Sequence, residues 1–247
     1  MTERRLADDP SIALLSSADR DTLAAIWMDR ARSESAVGNV FAQVADELVA
    51  SGAPSELVAL ARSATADEAR HAAVCEELAR AYGHDSAPRP ERRVRLSDYD
   101  QPTVRLRAAL HAVHVCCISE TIATVFVEAC LGACGSPMLR EIHREHLADE
   151  VQHARVGWAY VATLTAEERT AIASELASVL ELQLDAWTAR ISDLPIAGVA
   201  GHGYPPRSEL LDAVHGAIRE LVLPGFDHVG IDSAAARAWY TTRAGDR

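Results

Sequence analysis

The sequence predicts an all-α protein, a four-helix bundle with one long crossover followed by a helical C-terminal extension. The 247 residues are 49% hydrophobic but only 5% aromatic, and alanine and leucine, both strong helix formers, dominate the apolar set. Apolar residues recur with helical periodicity along most of the chain. We find no segment with the features of a strand.

Breaks between the periodic segments place the helices. Gly52 and Pro54 are suited to end one helix and begin the next, and Ser136-Pro137 reads as a cap followed by a first helical residue. A polar, proline-containing connection leads to about residue 102, and a glycine- and proline-rich loop follows the fifth helix. The predicted helices span about 17–50, 55–82, 103–133, 137–163, 165–191, 207–222 and 233–243.

Two antiparallel hairpins joined by a long crossover are the topology of a ferritin-like bundle. We therefore expect a bundle domain over residues 1–164. The remaining residues, 165–247, are expected to form a helical extension packed on the bundle.

The overall charge excludes several classes of function. The formal net charge of −12 argues against nucleic acid or an anionic membrane as the main partner. All 24 basic residues are arginine, which we attribute to codon bias and which excludes Schiff-base chemistry on a lysine. The N-terminus is charged and lacks the apolar stretch of a signal peptide.

The cysteines and the most apolar segment set further limits. The five cysteines are odd in number and form no CxxC pair, so a zinc ribbon or a disulfide scaffold is not expected. Glu120 and Glu128 interrupt the most apolar stretch, 113–135, which argues against a membrane span. We predict a soluble cytoplasmic protein.

A motif that occurs twice, DEARH at 67–71 and DEVQH at 149–153, suggests a functional site. Each copy places a glutamate and a histidine three residues apart, on one face of a helix. A single such pair is usually solvated surface, but two copies in apolar helical context suggest a site.

Distance from the turns selects the partners of the motif. In antiparallel helices, residues equally far from the turn stand level. By this criterion Glu34 stands level with Glu68 in the first hairpin, and Glu120 with Glu150 in the second. Glu47 and Glu128 lie too close to their turns and are assigned surface or supporting roles.

The four level glutamates predict a pair of metal ions. Four carboxylates cannot remain charged and unpaired inside a bundle, and two cations would resolve this. Carboxylate oxygens and neutral imidazoles suit iron or manganese. The two motif aspartates fit a role in orienting the ligating histidines, with ordinary surface acids as the alternative. The predicted ligands are Glu34, Glu68, His71, Glu120, Glu150 and His153, with Asp67 and Asp149 behind them.

The pattern E…DExxH…E…DExxH over residues 17–163 resembles the ferritin-like diiron-carboxylate superfamily. The resemblance implies two irons that react with dioxygen, with Fe/Fe preferred and Mn/Fe left open. It makes Glu34 and Glu120 terminal ligands and Glu68 and Glu150 bridges. Cys75 stands where ribonucleotide reductase small subunits carry a radical tyrosine, so that role is not expected.

Three further residues resemble features of diiron oxygenases. Thr124, one turn after Glu120, and Cys75 match active-site positions of bacterial multicomponent monooxygenases, with core packing as the alternative for both. His146 completes an H-x3-E-xx-H pattern that resembles the arylamine N-oxygenases, in which an extra histidine binds one iron. The alternative for His146 is a polar helix face. The other histidines near the motifs do not stand level with the site and are expected to be structural: His111, His114 and His143.

The resemblance implies a dioxygen-dependent oxidoreductase, a monooxygenase or N-oxygenase acting on a small organic substrate such as an amine. Electrons would come from a ferredoxin or reductase, since no flavin or nicotinamide fingerprint is present. The alternative is an iron-handling or peroxide-detoxifying protein. A large apolar pocket beside the metals would favour the oxygenase, and a small polar site with a cage assembly would favour iron storage. A homodimer is left open.

Overall fold

The computed structural model describes residues 9–83, 96 and 103–245, and within these residues the fold is all-α without a strand. The all-α class predicted from the sequence is thereby confirmed. Two π-helical segments, Val113–Ser119 and Ile218–Val222, continue from neighbouring α-helices. The helices are α1 (Pro10–Ala13), α2 (Ser17–Ala50), α3 (Ser55–Ala81), α4 (Val104–Ala112), α5 (Glu120–Gly132), α6 (Pro137–Val161), α7 (Ala166–Ser192), α8 (Arg207–Ala217), α9 (Leu223–His228) and α10 (Ala234–Gly245).

The predicted helices agree with α2, α3, α6 and α7 to within two residues at each end. The predicted third helix is instead α4, a π segment and α5 in succession, and the predicted helix 207–222 ends in a π segment that continues into α9. The short helix α1 was not predicted. Most of the predicted crossover, 84–95 and 97–102, lies outside the described residues, as does the N-terminal segment 1–8.

Side-chain caps explain where the long helices begin. The Ser16 hydroxyl accepts from the Asp19 amide before α2, and the Ser136 hydroxyl accepts from the Leu139 amide before α6. Thr165 and Glu168 form a reciprocal capping box at the start of α7. Each such cap satisfies a backbone N–H and contributes about 1 kcal/mol.

Helix packing brings the motif-bearing segments together. Helix α2 packs along α3, α5 packs along α6, and α3 and α6 also contact each other. Helix α4 and the π segment Val113–Ser119 lie against α2 and α6, respectively. One hydrophobic core includes residues of α2–α6 and also of α7–α10, so the C-terminal helices share the apolar interior.

Two glycines permit close contacts beside the predicted site. A Cβ at Gly157 of α6 would lie 2.7 Å from the Cys116 Cβ and 2.7 Å from the Cys117 Sγ, which is closer than real Cβ atoms approach. A Cβ at Gly38 of α2 would lie 3.2 Å from the Cβ of Glu68. Glycine at these positions lets α6 approach the π segment and lets α2 approach α3.

One described segment, Val104–Gly132, is long and apolar enough to cross a membrane by composition alone. In its most apolar window, 56% is buried inside the protein, as in the core helix of a soluble protein. The segment also carries Glu120 in the interior. Its apolar character is thus compatible with a core helix of a water-soluble fold.

Candidate metal centre

The structure brings together all seven residues that the sequence selected as metal ligands. They form two groups of four, and within each group the candidate ligand atoms lie within 4.8 Å of one another. All seven are buried, and Glu150 belongs to both groups. The groups are Glu34, His71, His146 and Glu150, and Glu68, Glu120, Glu150 and His153.

Four helices, α2, α3, α5 and α6, contribute the candidate ligands. Glu68 and His71 lie on one face of α3, as do Glu150 and His153 on α6, because residues three apart share a helix face. Glu120 is the first residue of α5 and directly follows the π segment Val113–Ser119. A π segment changes the angular position of every later side chain, and such segments are frequent at functional sites.

The hydrogen bonding of the buried polar atoms at the centre is consistent with metal binding. Several of them have no hydrogen-bond partner in good geometry among the described residues, although such atoms are nearly always paired in folded proteins. Carboxylate oxygens and imidazole nitrogens are suitable ligands for iron and manganese. These buried groups could therefore hold metal ions. The atoms without such a partner are Glu68 Oε2, His71 Nδ1, His146 Nε2, Glu150 Oε2 and the two ring nitrogens of His153.

Electrostatics lead to the same conclusion. Burial raises the pKa of Glu68 to about 7, against the opposing effect of hydrogen bonds from His153 and His71. Burial and the neighbouring Glu150 raise the pKa of Glu120 well above its usual range. Burial opposes ionisation of Glu150 too, but hydrogen bonds from His146 and His153 hold its pKa well below the usual range. The carboxylates compete for too little positive charge, which bound cations would supply.

Two aspartates orient the histidines from behind, across the α3–α6 contact. Asp149 Oδ2 of α6 lies 3.0 Å from His71 Nε2, and Asp67 Oδ2 of α3 lies 3.5 Å from His153 Nε2. Arg70 bridges both aspartates, at 2.7 Å to Asp67 and 2.6 Å to Asp149. Because Nε2 faces a carboxylate, it keeps its proton, and Nδ1 is the nitrogen that would give its lone pair to a bound metal ion.

Asp149→Ala is expected to weaken metal binding by about 10- to 100-fold, the usual effect of removing such an orienting carboxylate. The loss would arise because His71 could then adopt other orientations and protonation states. Titration with Mn(II), followed by isothermal calorimetry, measures the affinity. Asp46→Ala on the exposed face of α2 removes the same charge and should leave it unchanged. Equal affinities in both variants would contradict the orienting role.

Neither residue predicted to be catalytic lies on the wall of the cavity beside the centre. The Thr124 hydroxyl donates to the Glu120 carbonyl of its own helix at 2.8 Å. Cys75 is 1% exposed, and burial raises the pKa of its thiol, so it stays protonated. These contacts do not test a catalytic role, so the roles predicted for both residues stay predictions.

The residues assigned elsewhere by the sequence belong to neither candidate ligand group. Glu47 accepts from His111 Nδ1 at 2.6 Å, and Glu128 is exposed. His143 donates from Nδ1 to the Leu139 carbonyl at 2.9 Å. His114 belongs to neither group of candidate ligands.

Sequence reasoning missed two arginines at the centre. Arg30 is 3% exposed, and its Nε donates to Glu34 Oε1 at 3.2 Å while its Nη2 lies 3.1 Å from His146 Nδ1. Arg190 of α7 reaches the site from outside α2–α6 and lies over the Trp187 ring, 5.2 Å from its centroid. The spacing of Arg30 and Glu34, four residues apart on one helix face, was a signal for the first arginine.

A small cavity of about 40 Å³ lies beside the centre, with room for about three water molecules. Its wall combines polar groups of the centre with apolar side chains of α2, α5 and α7. The residues that line it are Arg30, Ser33, Glu34, Val37, Glu68, Ser119, Glu120, Ala123, Phe126, Val127, Glu150, Trp187 and Arg190.

Comparison with known proteins finds no matching protein-family model, no matching curated protein and no matching solved structure.

Proposed function

We propose that this protein is a dioxygen-dependent oxidoreductase with a non-haem diiron centre, held in a ferritin-like four-helix bundle. The bundle would consist of α2, α3, the α4–α5 segment and α6, within residues 1–164, and residues 165–247 would form the extension. The observation that carries the proposal is the pair of buried ligand groups sharing Glu150. Two carboxylate-rich sites with a common glutamate are suited to a pair of iron ions.

The residues around the centre have separable tasks. Bound iron would supply the Lewis acidity and the electrons with which dioxygen is reduced. Glu150, which belongs to both ligand groups, and Glu68, whose Oε1 lies 3.1 Å from His153 Nδ1, would help to hold the two ions. Phe126 and Trp187 contribute apolar surface to the wall of the cavity.

The cavity size restricts the substrate of an oxygenase. At about 40 Å³, it admits only a few non-hydrogen atoms unless side chains such as Trp187 of α7 move. We therefore propose a small organic substrate. We also propose that the electrons come from a ferredoxin or reductase and that the protein is cytoplasmic. Amine N-oxygenation, the most specific expectation, depends on His146 binding iron.

The same cavity favours a second candidate, an iron-handling or peroxide-detoxifying function. Small polar molecules fit the space without rearrangement, and charged groups form much of its wall. This candidate requires the same centre but no organic substrate. The two functions differ in their products and can be separated by experiment.

We expect protein loaded anaerobically with two equivalents of Fe(II) to consume dioxygen rapidly when exposed to it. An oxygen electrode measures the rate, and a panel of small amines and alcohols, analysed by mass spectrometry, tests for organic products. Consumption of hydrogen peroxide without organic product would favour the second candidate. Fe(II)-loaded protein that is inert to both oxidants for hours would contradict both functions.

A further inference from the structure

We infer that His146 is not a metal ligand, because its Nε2 carries a proton and lies beside the carboxylates of the centre. Arg30 determines this role by occupying the other ring nitrogen. The inference rests on the proposed metal centre. It assigns to this chain four glutamates and two histidines as ligands, instead of the seven residues that the sequence predicts.

The contact between Arg30 and His146 has only one consistent arrangement of protons. Arg30 Nη2 lies 3.1 Å from His146 Nδ1. A guanidinium has only N–H donors and no acceptor, so Nδ1 must be the acceptor. A neutral imidazole carries one proton, which then resides on Nε2.

Arg30 is held firmly in this position. It is 3% exposed, its Nε donates to Glu34 Oε1 at 3.2 Å, and its guanidinium lies 5.1 Å from the centroid of the Trp27 ring. Moving it would break a buried ion pair with Glu34, which is strongly destabilising. Protonating Nδ1 of His146 instead would place two donors face to face.

The Nε2 nitrogen of His146 lies close to the carboxylates of the first ligand group. His146 Nε2 lies 2.7 Å from Glu150 Oε1 and 3.7 Å from Glu34 Oε1. The Glu34 oxygen is beyond hydrogen-bond distance, and the Glu150 oxygen is close but does not form a hydrogen bond of good geometry with Nε2. A ring nitrogen that carries a proton has no lone pair available for a metal ion.

The other two histidines show the opposite arrangement. The outward nitrogens of His71 and His153 face the carboxylates of Asp149 and Asp67, which can only accept when ionised. Histidines that bind metals usually donate their outward N–H to such an acceptor. His146 faces a cation at the corresponding nitrogen, which distinguishes it from both.

This role changes what the site resembles. The likeness to arylamine N-oxygenases depends on an extra histidine ligand, which His146 would not provide. Its N–H would instead help to orient Glu150, the carboxylate that both ligand groups share. The centre then favours the general proposal of a diiron oxidase over the specific one of amine N-oxygenation.

Proton NMR of the protein loaded with Co(II) tests the inference without measuring activity. Each histidine bound to Co(II) is expected to give one strongly shifted exchangeable N–H resonance. We expect two such resonances in the unaltered protein, and still two in His146→Gln, which retains an N–H donor. His71→Gln should leave one. Three resonances in the unaltered protein, with one lost in His146→Gln, would overturn the inference.

Arg30 variants test the cause. Arg30→Met removes the donor to Nδ1, so His146 can present its Nε2 lone pair, and a third shifted resonance should appear. Arg30→Lys retains a donor and should show two. If Arg30→Met also shows only two resonances, control by Arg30 is refuted. If Arg30→Met fails to fold, the spectra of the unaltered protein and of His146→Gln still decide the number of histidine ligands. Failure to bind Co(II) at all would instead contradict the proposed metal centre.

Discussion

Glu150→Ala is expected to reduce the metal content of the protein from about two ions per chain to none. Glu150 is the only residue shared by the two candidate ligand groups of the described structure, and it is 2% exposed. Its loss removes a ligand from both positions and one of the negative charges that offset the charge of the two cations. Metal analysis after anaerobic loading with Fe(II) and desalting measures the content.

Two matched variants show whether this effect is specific. Glu128→Ala removes the same side chain from an exposed position of α5 and should retain two ions. Glu34→Ala removes a member of only the first ligand group and should weaken one position more than the other. Retention of two ions by Glu150→Ala would contradict a shared ligand and, with it, the dimetal centre.

Metal loading is expected to raise the midpoint of thermal unfolding by more than about 10 °C. An ion that binds only the folded state at about 1,000 times its dissociation constant stabilises that state by about 4 kcal/mol. For a chain of this size, each kcal/mol shifts the midpoint by about 2–4 °C. Bound cations also stabilise the charged carboxylates of Glu68 and Glu120, whose pKa values are raised by burial. Differential scanning calorimetry with and without Mn(II) measures the shift.

A chelator should reverse the shift in the loaded protein. Glu150→Ala should show almost none at the same Mn(II) concentration, because its ligand groups are incomplete. Glu128→Ala should behave like the unaltered protein. A shift of equal size in Glu150→Ala would show that the stabilising metal binds elsewhere.

The sequence alone determined the features that depend on local periodicity. Residues three or four apart share a helix face whatever the helix packs against, so the pairs Glu68–His71 and Glu150–His153 were predictable. Caps and breaks such as Gly52 and Ser136-Pro137 marked the hairpin turns. The all-α class followed from composition and periodicity and is confirmed.

Counting residues from the turns extended this reasoning from one helix to two. Antiparallel helices have a constant rise per residue, so the level criterion selected Glu34 and Glu120 and set aside Glu47 and Glu128. The structure places the first two at the centre and the other two away from it. The criterion did not anticipate the π segment Val113–Ser119, because an added residue in a helix leaves no periodic signal in an apolar run.

Only the tertiary structure decided which groups meet across the fold. Asp149 and His71 are separated by 78 positions, and Arg30 and His146 by 116, so no local pattern relates them. The position of Arg190 over the cavity depends on how α7 packs outside α2–α6. Helical periodicity specifies the face on which a side chain lies. Whether the nitrogen of His146 meets a cation, a carboxylate or a metal ion depends on the packing of another helix against that face.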